Sequence, residues 1–493
     1  MICVSIGRGR HRSMIAEARH VAEQGAQLVE LRLDYIRRAV NIKRLLANRR
    51  CPIIATCRRE EDGGKWTASD ADRLTLLRQA IAEGVDYVDL EEDVAGQIPR
   101  YGKTKRIVSY HNFVETPEDV QSIHDRMCTK DPDIVKIATL AHHPHDNLRL
   151  LRLIENSSVP TVAFCMGEQG ILSRLLSGRF GAPFTYATFH EDRALAPGQL
   201  SYRQMTEMYR YTNISKSTVI YGVVADPVGH SLSPVIHNAA FQDSGLDMVY
   251  IPFRVPLDEL GSFLGDCPEL GIKGLSVTIP HKGEIMQFLD QVDTDAATIG
   301  ACNTAVFNGQ QISGYNTDHQ AAVDSLLQAH TSSGATPLKG KTSLILGAGG
   351  AASSVAYGLT QLGSDVVITS RNEERSNALA ERFNCRTVPW EERQNIRAGI
   401  LINTTPIGMH PKVDESPYEK RHIDRGMVVF DTVYNPEQTL LVKYAREQNC
   451  RVITGVDMFI RQAELQFRHF TGQEAPKEVM RNQLKRSTGA ARY

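Results

Sequence analysis

The sequence has no excess of either charge: 56 lysines and arginines against 57 aspartates and glutamates leave a formal net charge of −1. That excludes a global basic field of the kind that gathers nucleic acid or anionic lipid. No C-x-x-C occurs among the nine cysteines, which are scattered and odd in number. A disulfide framework or zinc knuckle is excluded, no metal site is expected, and a reducing compartment is favoured. Long apolar runs are missing too. The longest uncharged stretch, residues 342–364, has the length of a membrane span, but Gly347, Gly349, Gly350, Ser353 and Ser354 interrupt it as a turn would. The opening run 1–6 is too short for a signal sequence and is followed by Arg8, Arg10 and Arg12, so a cytoplasmic location is expected.

What is present is 42% hydrophobic and 23% charged residues, the composition of a soluble globular protein. At ~100–200 residues per domain, the length predicts two to four domains. Short apolar runs recur at 2–6, 28–33, 53–57, 87–90, 107–110, 134–137, 161–165 and 184–187, with amphipathic stretches between several of them. Ser69 and Asp72 form a capping-box pattern before Leu74, Leu77 and Ile81, and Gly84 follows as a stop. Thr116-Pro117-Glu118 predicts a second helix start, with Thr116 as its cap. Eight such repeats within roughly 210 residues predict an α/β fold that begins with a (β/α)8 barrel. An open doubly wound sheet is the alternative. The barrel is preferred because Glu30, Arg32, Arg58, Glu91, His111 and Lys136 fall within or at the ends of these runs, and barrel strand ends converge on one pocket.

Lys136 is the most telling of these. Alternation in Asp133-Ile134-Val135-Lys136-Ile137-Ala138 puts Ile134, Lys136 and Ala138 on one face. An edge-strand lysine that discourages aggregation is one reading. A desolvated amine with a lowered pKa, able to form a Schiff base with a carbonyl substrate, is the other. His111 ends the preceding strand, where an imidazole can move protons beside an imine, although a strand-end histidine also serves packing. Glu91, one strand earlier, can orient that imidazole or sit in solvent. Arg32 and Arg174 suit a substrate carboxylate, since guanidinium forks match carboxylates bidentately.

A polar stretch, Ser215-Lys216-Ser217-Thr218, precedes a fresh strand at 219–224 and marks a boundary. Further on, Leu344-Ile345-Leu346-Gly347-Ala348-Gly349-Gly350-Ala351-Ala352 is a strand running into G-x-G-x-x-A, followed by a helix-like stretch and a second strand at 365–369. In that context the glycines predict a dinucleotide site. Ser370-Arg371-Asn372 stands at the tip of the second strand, with Arg375 shortly after. An arginine there favours a 2′-phosphate, so NADP is preferred to NAD. Upstream, His230-Ser231-Leu232-Ser233-Pro234, Val277-Thr278-Ile279-Pro280-His281-Lys282, Ala301-Cys302-Asn303-Thr304 and Gly314-Tyr315-Asn316-Thr317-Asp318 supply hydroxyl, ammonium, amide and carboxylate groups. Singly each reads as a turn or cap; together they suit a polyhydroxylated acid.

The first half resembles the type I 3-dehydroquinate dehydratases. The resemblance is carried, in order across residues 1–213, by Glu30-Leu31-Arg32-Leu33-Asp34, Thr56-Cys57-Arg58, Asp89-Leu90-Glu91, Ser109-Tyr110-His111, Lys136-Ile137-Ala138, Met166-Gly167, Ser173-Arg174-Leu175 and Ala196-Pro197-Gly198-Gln199. It implies that Lys136 forms an imine with the 3-keto group of 3-dehydroquinate and that His111 moves a C2 proton to the departing C1 hydroxyl. It further implies that Glu91 orients His111, that Arg174 holds the carboxylate, and that Glu30, Arg32, Arg58 and Gln199 hold ring hydroxyls. Leu195 stands where the family commonly has serine, which predicts weaker substrate holding by about one neutral hydrogen bond, ~0.5–1.5 kcal/mol.

Residues 219–485 resemble shikimate dehydrogenase, through the motifs above and Asn403-Thr404-Thr405-Pro406-Ile407-Gly408-Met409, Tyr434-Asn435-Pro436, Gly455-Val456-Asp457-Met458 and Gln462. By that resemblance Lys282 and Asp318 are the catalytic pair, and Ser231, Ser233, Thr278, Asn303 and Gln462 bind the substrate 3-dehydroshikimate. Gly347, Gly349, Gly350, Ala351, Ser370, Arg371, Asn372, Arg375, Tyr434 and Gly455 would hold NADP(H). Two positions depart from the common pattern: Ser276 replaces an asparagine, and His319 follows Asp318 where glycine is usual.

The expected arrangement is therefore a barrel over 1–214, a substrate-binding domain over 218–325 completed by helices within 456–488, and an NADP-binding domain over 326–455. The two activities would be consecutive steps in one chain, acting on small molecules and not on nucleic acid or membrane. The oligomeric state is left open, a homodimer included. A regulator that binds these metabolites without turnover is disfavoured by intact Lys136, His111, Lys282 and Asp318. A catabolic quinate enzyme using NAD is disfavoured by the arginine-tipped strand.

Overall fold

Eight runs that are apolar on both faces fold as parallel strands, because a strand enclosed by side chains within and helices without has no face left for water. They are β1 (Ile2–Ile6), β2 (Leu28–Arg32), β3 (Ile53–Thr56), β4 (Tyr87–Glu91), β5 (Lys105–Asn112), β6 (Ile134–Leu140), β7 (Thr161–Met166) and β8 (Thr185–Thr188). The computed structural model describes residues 1–331 and 338–488. In it these strands form one parallel sheet ordered β7-β6-β5-β4-β3-β2-β1-β8, a nearly closed (β/α)8 barrel. Its interior is filled by Cys3, Leu28, Ile54, Ile107, Ile134, Ala138, Phe164 and Tyr186, among others. Ile134 and Ala138 are thus inside, and the alternation brings Lys136 inside with them.

The helix Asp70–Ala82 starts where the capping pattern predicts: Ser69 is the cap and its hydroxyl accepts from the Asp72 N–H. The second predicted start is displaced. The helix runs over Val120–Cys128 and is capped by Asp119, not Thr116. The Thr116 hydroxyl is committed elsewhere, within 2.7 Å of Thr139 Oγ1 and donating to Leu140 O at 2.9 Å.

Two compact units divide the chain. The first comprises residues 1–220 with 226–231 and 247–271, and the second comprises 221–225, 232–246 and the chain from 272 onward. After β9 (Val219–Ala225) and β10 (Met248–Arg254) come β11 (Ile272–Val277), β12 (Gln291–Val292), β13 (Thr304–Asn308) and β14 (Gln311–Tyr315). Here β9, β11, β13, β14 and β12 lie side by side in that order, with β13 antiparallel to both β11 and β14.

The remaining strands, β15 (Thr342–Leu346), β16 (Asp365–Thr369), β17 (Arg386–Thr387), β18 (Ile400–Asn403), β19 (Val428–Asp431) and β20 (Arg451–Ile453), make a wholly parallel sheet ordered β17-β16-β15-β18-β19-β20. This is the 3-2-1-4-5-6 order of dinucleotide-binding folds, in which ligands bind beyond the strand ends at the point where the order reverses. That point lies between β15 and β18. The uncharged stretch 342–364 resolves into β15 and the helix Gly350–Gln361. Among the described residues no helix is long and apolar enough to cross a membrane.

Candidate active sites

In the barrel one cavity is lined by Glu30, Arg32, Arg58, His111, Lys136, Arg174 and Gln199, seven residues drawn from across the first half of the sequence. Ser5, Asp62, Phe164, Tyr186 and Leu195 complete much of the wall. Lys136 is 5% exposed. Its Nζ donates to Asp89 Oδ2 at 3.0 Å, lies 3.8 Å from Glu30 Oε1, and sits 4.4 Å from the centre of the Tyr186 ring. Burial, reinforced by the positive charges of Arg58 and Lys136, holds the His111 imidazole well below the usual histidine range. A neutral imidazole beside a lysine can accept a proton. Its Nδ1 is buried and makes no hydrogen bond.

The arginines differ in what they leave free. Arg58 spends three of its five N–H groups within the protein: NH1 donates to Glu91 Oε1 at 2.8 Å and to Ser109 Oγ at 2.9 Å, and NH2 donates to Asp89 Oδ1 at 2.7 Å. Arg32 is forked onto Asp34 at 3.0 and 2.8 Å. Arg174 is different. It is 1% exposed, stacks 4.3 Å over Phe164, makes only a long bond to Pro197 O at 3.4 Å, and leaves its Nε without a partner. Burial without a nearby carboxylate brings its pKa down to about 10. A buried cation without its counter-ion is a ready seat for a carboxylate.

One expected contact is not made. Glu91 is held by Arg58 at 2.8 Å and Arg73 at 2.6 Å, so its carboxylate braces guanidinium groups and does not reach His111. Asp89, two residues earlier on the same face of β4, is the acid that meets Lys136. Strand alternation puts both acids on one face, since i and i+2 share it, but does not choose between them. Asp62, in the acidic loop after β3, was hidden from any periodicity; it lines the cavity and accepts from Arg59 Nε at 2.7 Å. Gln199 Oε1 accepts from the Leu195 N–H at 2.9 Å, which ties the loop at the cavity edge to itself. Gly198 has φ +71°, and a Cβ there would lie 2.1 Å from Gly167 O, so only glycine permits this approach.

In the second unit Lys282 Nζ donates to Asp318 Oδ2 at 2.5 Å, with the two side chains 19% and 9% exposed. Lys282 is the second residue of the short helix His281–Glu284 after β11, and Asp318 lies in the first turn of the helix Thr317–Thr331 after β14. The Asn303 amide frames that turn, accepting from the Thr317 N–H at 2.8 Å and donating to Thr317 Oγ1 at 2.9 Å. Thr317 Oγ1 in turn donates to the Gln462 carbonyl at 3.2 Å. Asn303 is thus committed to the frame more than to a ligand. Ser233 is buried at the start of the helix Ser233–Asp243, and Thr278 is partly buried at the end of β11. Ser231 is partly buried in the turn before that helix, its N–H donating to Val228 O at 3.0 Å.

Both departures have local explanations. The Ser276 hydroxyl donates to Gln466 Oε1 at 2.7 Å, so β11 is tied to the helix Gly455–Thr471. The His319 ring lies with Nδ1 2.8 Å from Asn316 O and Nε2 3.2 Å from Asp295 Oδ2, while Tyr357 OH donates to the other Asp295 oxygen at 2.7 Å. The histidine therefore joins the Asp318 turn to the helices Thr294–Ile299 and Gly350–Gln361.

The residues at the β15 tip fit a dinucleotide. Gly347 has φ +117°, and a Cβ there would strike Thr404 Oγ1 at 2.4 Å, whereas Gly349 faces open space. The helix Gly350–Gln361 has neither a side-chain cap nor an acid in its first turn, so its N–H groups are available to phosphate oxygens. Ala351 lies in that turn, and a Cβ on Gly350 would lie 3.5 Å from Lys282 Cδ, which puts the helix start next to that lysine. Arg371 and Arg375 are exposed, with no ion pair among the described residues. Asn372 caps the helix Glu373–Phe383 by accepting from the Arg375 N–H at 3.0 Å, and Ser370 Oγ donates to Asn372 O. Tyr434 stacks on Phe459 at 4.4 Å, and Gly455 packs against Val433 O too closely for a Cβ. No cluster of three metal-ligating side chains occurs among the described residues.

Family models match in the same order. Type I 3-dehydroquinase covers residues 2–216, the shikimate dehydrogenase substrate binding domain covers 223–305, and the shikimate 5′-dehydrogenase C-terminal domain covers 455–485. A model described as NADP oxidoreductase, coenzyme F420-dependent, covers 343–433. The bifunctional 3-dehydroquinate dehydratase/shikimate dehydrogenase of Arabidopsis thaliana, named chloroplastic, is 35% identical over 97% of this chain and 83% of its own length. The NADP(+) shikimate dehydrogenase of Methanothermobacter thermautotrophicus is 38% identical over 55% of this chain and 98% of its own. A solved shikimate dehydrogenase in complex with NADP+ is 37% identical, with a TM-score of 0.52, over 56% of this chain and 98% of its own. The chain therefore belongs to the bifunctional 3-dehydroquinate dehydratase/shikimate dehydrogenase family, a lyase and an NADP-dependent oxidoreductase on one polypeptide.

Proposed function

We propose that the barrel dehydrates 3-dehydroquinate on Lys136 and that the second half reduces the product, 3-dehydroshikimate, to shikimate. The observation that carries the first step is a single cavity holding a buried amine, a neutral imidazole and a buried guanidinium without a counter-ion. Arg174 seats the carboxylate, and Glu30, Arg32 and Gln199 face the ring hydroxyls. Lys136 condenses with the 3-keto group. The resulting iminium is a stronger electron sink than the ketone, so the C2 proton becomes acidic enough for His111 to take. His111 then returns that proton to the C1 hydroxyl as it leaves as water, and a further water hydrolyses the product iminium, which restores the Lys136 amine and frees 3-dehydroshikimate. Arg58, braced by Asp89 and Glu91, contributes positive charge to the wall more than a free fork.

In the reductase, the residues of the β15 tip would hold NADPH, whose contribution is hydride. Arg371 and Arg375 would meet the 2′-phosphate, and the helix N-terminus would meet the pyrophosphate. Lys282 gives a proton to the oxygen on which negative charge develops, and Asp318 keeps the ammonium aimed there. Ser233, Thr278 and Gln462 bind the carboxylate and hydroxyls. We also infer a cytoplasmic location, which nine unpaired thiols support by fitting a reducing compartment. The domain limits we propose are 1–214, 218–325 with 456–488, and 326–455.

The test is incubation with 3-dehydroquinate alone and then with NADPH. Enone absorbance should rise in the first case, and in the second it should fall together with NADPH absorbance. An enone that never forms without NADPH would overturn the order of steps.

A further inference from the structure

Four carboxylates stand close to the dehydratase cavity, and three of them are engaged elsewhere. Glu91 is bound by Arg58 and Arg73, Asp62 by Arg59, and Glu30 accepts from Thr56 Oγ1 at 2.8 Å while staying 3.8 Å from the lysine. Asp89 alone lies within hydrogen-bond distance of Lys136 Nζ, at 3.0 Å. Its other oxygen is fixed by Arg58 NH2 at 2.7 Å and Ser109 Oγ at 2.6 Å, so Oδ2 is held in one direction. The three residues come from consecutive strands: Asp89 from β4, Ser109 from β5 and Lys136 from β6, the last two directly paired. The carboxylate is 1% exposed.

The chemistry proposed for Lys136 gives this contact a use. When an ammonium condenses with a ketone the products are an iminium and water. The positive charge is kept and no net proton is exchanged, but three N–H groups become one. In a site that excludes water, that remaining N–H must find an acceptor or leave a charge without a partner. Building on the dehydratase reading above, we infer that Asp89 is the positioning residue of this reaction, aiming the Lys136 amine before condensation and accepting the iminium N–H afterwards. Sequence assigned an orienting role to Glu91; the geometry gives one to its neighbour, acting on the lysine and not on the histidine.

The experiment uses the full-length chain, with dehydrogenase activity as an internal control for folding. Asp89→Asn keeps the shape and removes the charge. Dehydration should fall roughly ten- to a hundredfold, the value of one charge-assisted hydrogen bond, while dehydrogenase activity stays within about twofold. The acid limb of the dehydratase pH–rate profile should also move to lower pH, because an anion that favours the ammonium is gone. The other groups facing the amine, Cys3 on β1, Glu30 on β2, Arg58 after β3, His111 on β5 and Tyr186 on β8, remain in place. Asp89→Glu should recover part of the rate. Ser109→Ala keeps the anion but removes a donor from it, so it should shift the limb by less and to higher pH, and it carries the test if Asp89→Asn does not fold. A pH limb that stays put in both variants would overturn the inference. Borohydride trapping separates the two levels. If wild type gains no substrate mass at Lys136, the imine reading fails; if it does and the variant profiles match wild type, only the role of Asp89 fails.

Discussion

In the proposed reactions Lys136 and Lys282 both serve a keto oxygen position, but the fold surrounds them differently. The Lys136 side chain is 7% exposed and meets two carboxylates and an aromatic ring, in a wall that also holds Arg58, Arg32 and Arg174. The Lys282 side chain is 19% exposed and its partner is one carboxylate at 2.5 Å. An amine that becomes covalently attached must keep its charge compensated through several bonding states, which a cage of fixed groups provides. An ammonium that only lends a proton needs one acceptor to hold it between turnovers. On the proposed mechanism the density of charge around each lysine follows the number of states it passes through.

The comparison breaks most visibly when either amine is removed. Lys136→Ala should abolish dehydration and leave dehydrogenase activity intact. Borohydride with 3-dehydroquinate should then add no mass; undiminished labelling would place the imine on another amine. Lys282→Ala should be less severe, since other donors remain: reduction should fall roughly 10²–10⁴-fold, the usual range for a general acid. A fall below tenfold in single-turnover assays would show that another group delivers the proton.

How far these sites were legible depended on what kind of signal each residue leaves. The barrel strands could be read to within a few residues, because buried parallel strands write continuous apolar runs, as in β1 and β7. Lys136 stood out as a charge inside such a run. The switch from Glu91 to Asp89 could not be read, because both acids share a face of β4 and only side-chain reach decides which meets the lysine and which the arginines. Thr116 was misread as a cap for a related reason: a Thr-Pro-Glu pattern does not show that the hydroxyl already bonds across to β6. Asp62 ends the single 3-10 turn Glu60–Asp62, too short for any period to mark it. In the second half, the glycines and Arg371 were local signals that pointed to NADP, whereas the framing role of Asn303 and the bridging role of His319 depend on partners far away in sequence.

Buried carboxylates sharpen the same contrast. Burial disfavours the charged form of Asp89, but the positive charges of Arg58 and then Lys136 hold it well below the usual carboxylate range. Asp431, at the end of β19, is fully buried with only neutral donors around it: Thr439 Oγ1 at 2.6 Å, Asn403 Nδ2 at 3.0 Å and the Val433 N–H at 3.1 Å. Burial pushes it up to about 6. A folded value above the unfolded one means that its favourable contribution is complete below about pH 4 and is lost as pH rises through 6, a swing of at most ~3 kcal/mol. Asp431→Asn should remove that swing. The melting temperature of the variant relative to wild type should rise between pH 4.5 and pH 8, and a difference independent of pH would show that Asp431 does not titrate there.

The smallest expected effect tests whether the dense cage already does most of the holding. Leu195 lines the dehydratase cavity at the position where a hydroxyl is usual, and its backbone N–H is already bonded to Gln199. Leu195→Ser offers the substrate one neutral hydrogen bond, worth ~0.5–1.5 kcal/mol, against the charged groups already facing the cavity. The Michaelis constant for 3-dehydroquinate should fall roughly two- to tenfold with kcat unchanged. A change in kcat instead would mean that the loop acts on the reacting atoms and that the cage of β2 to β6 is not the whole of the site.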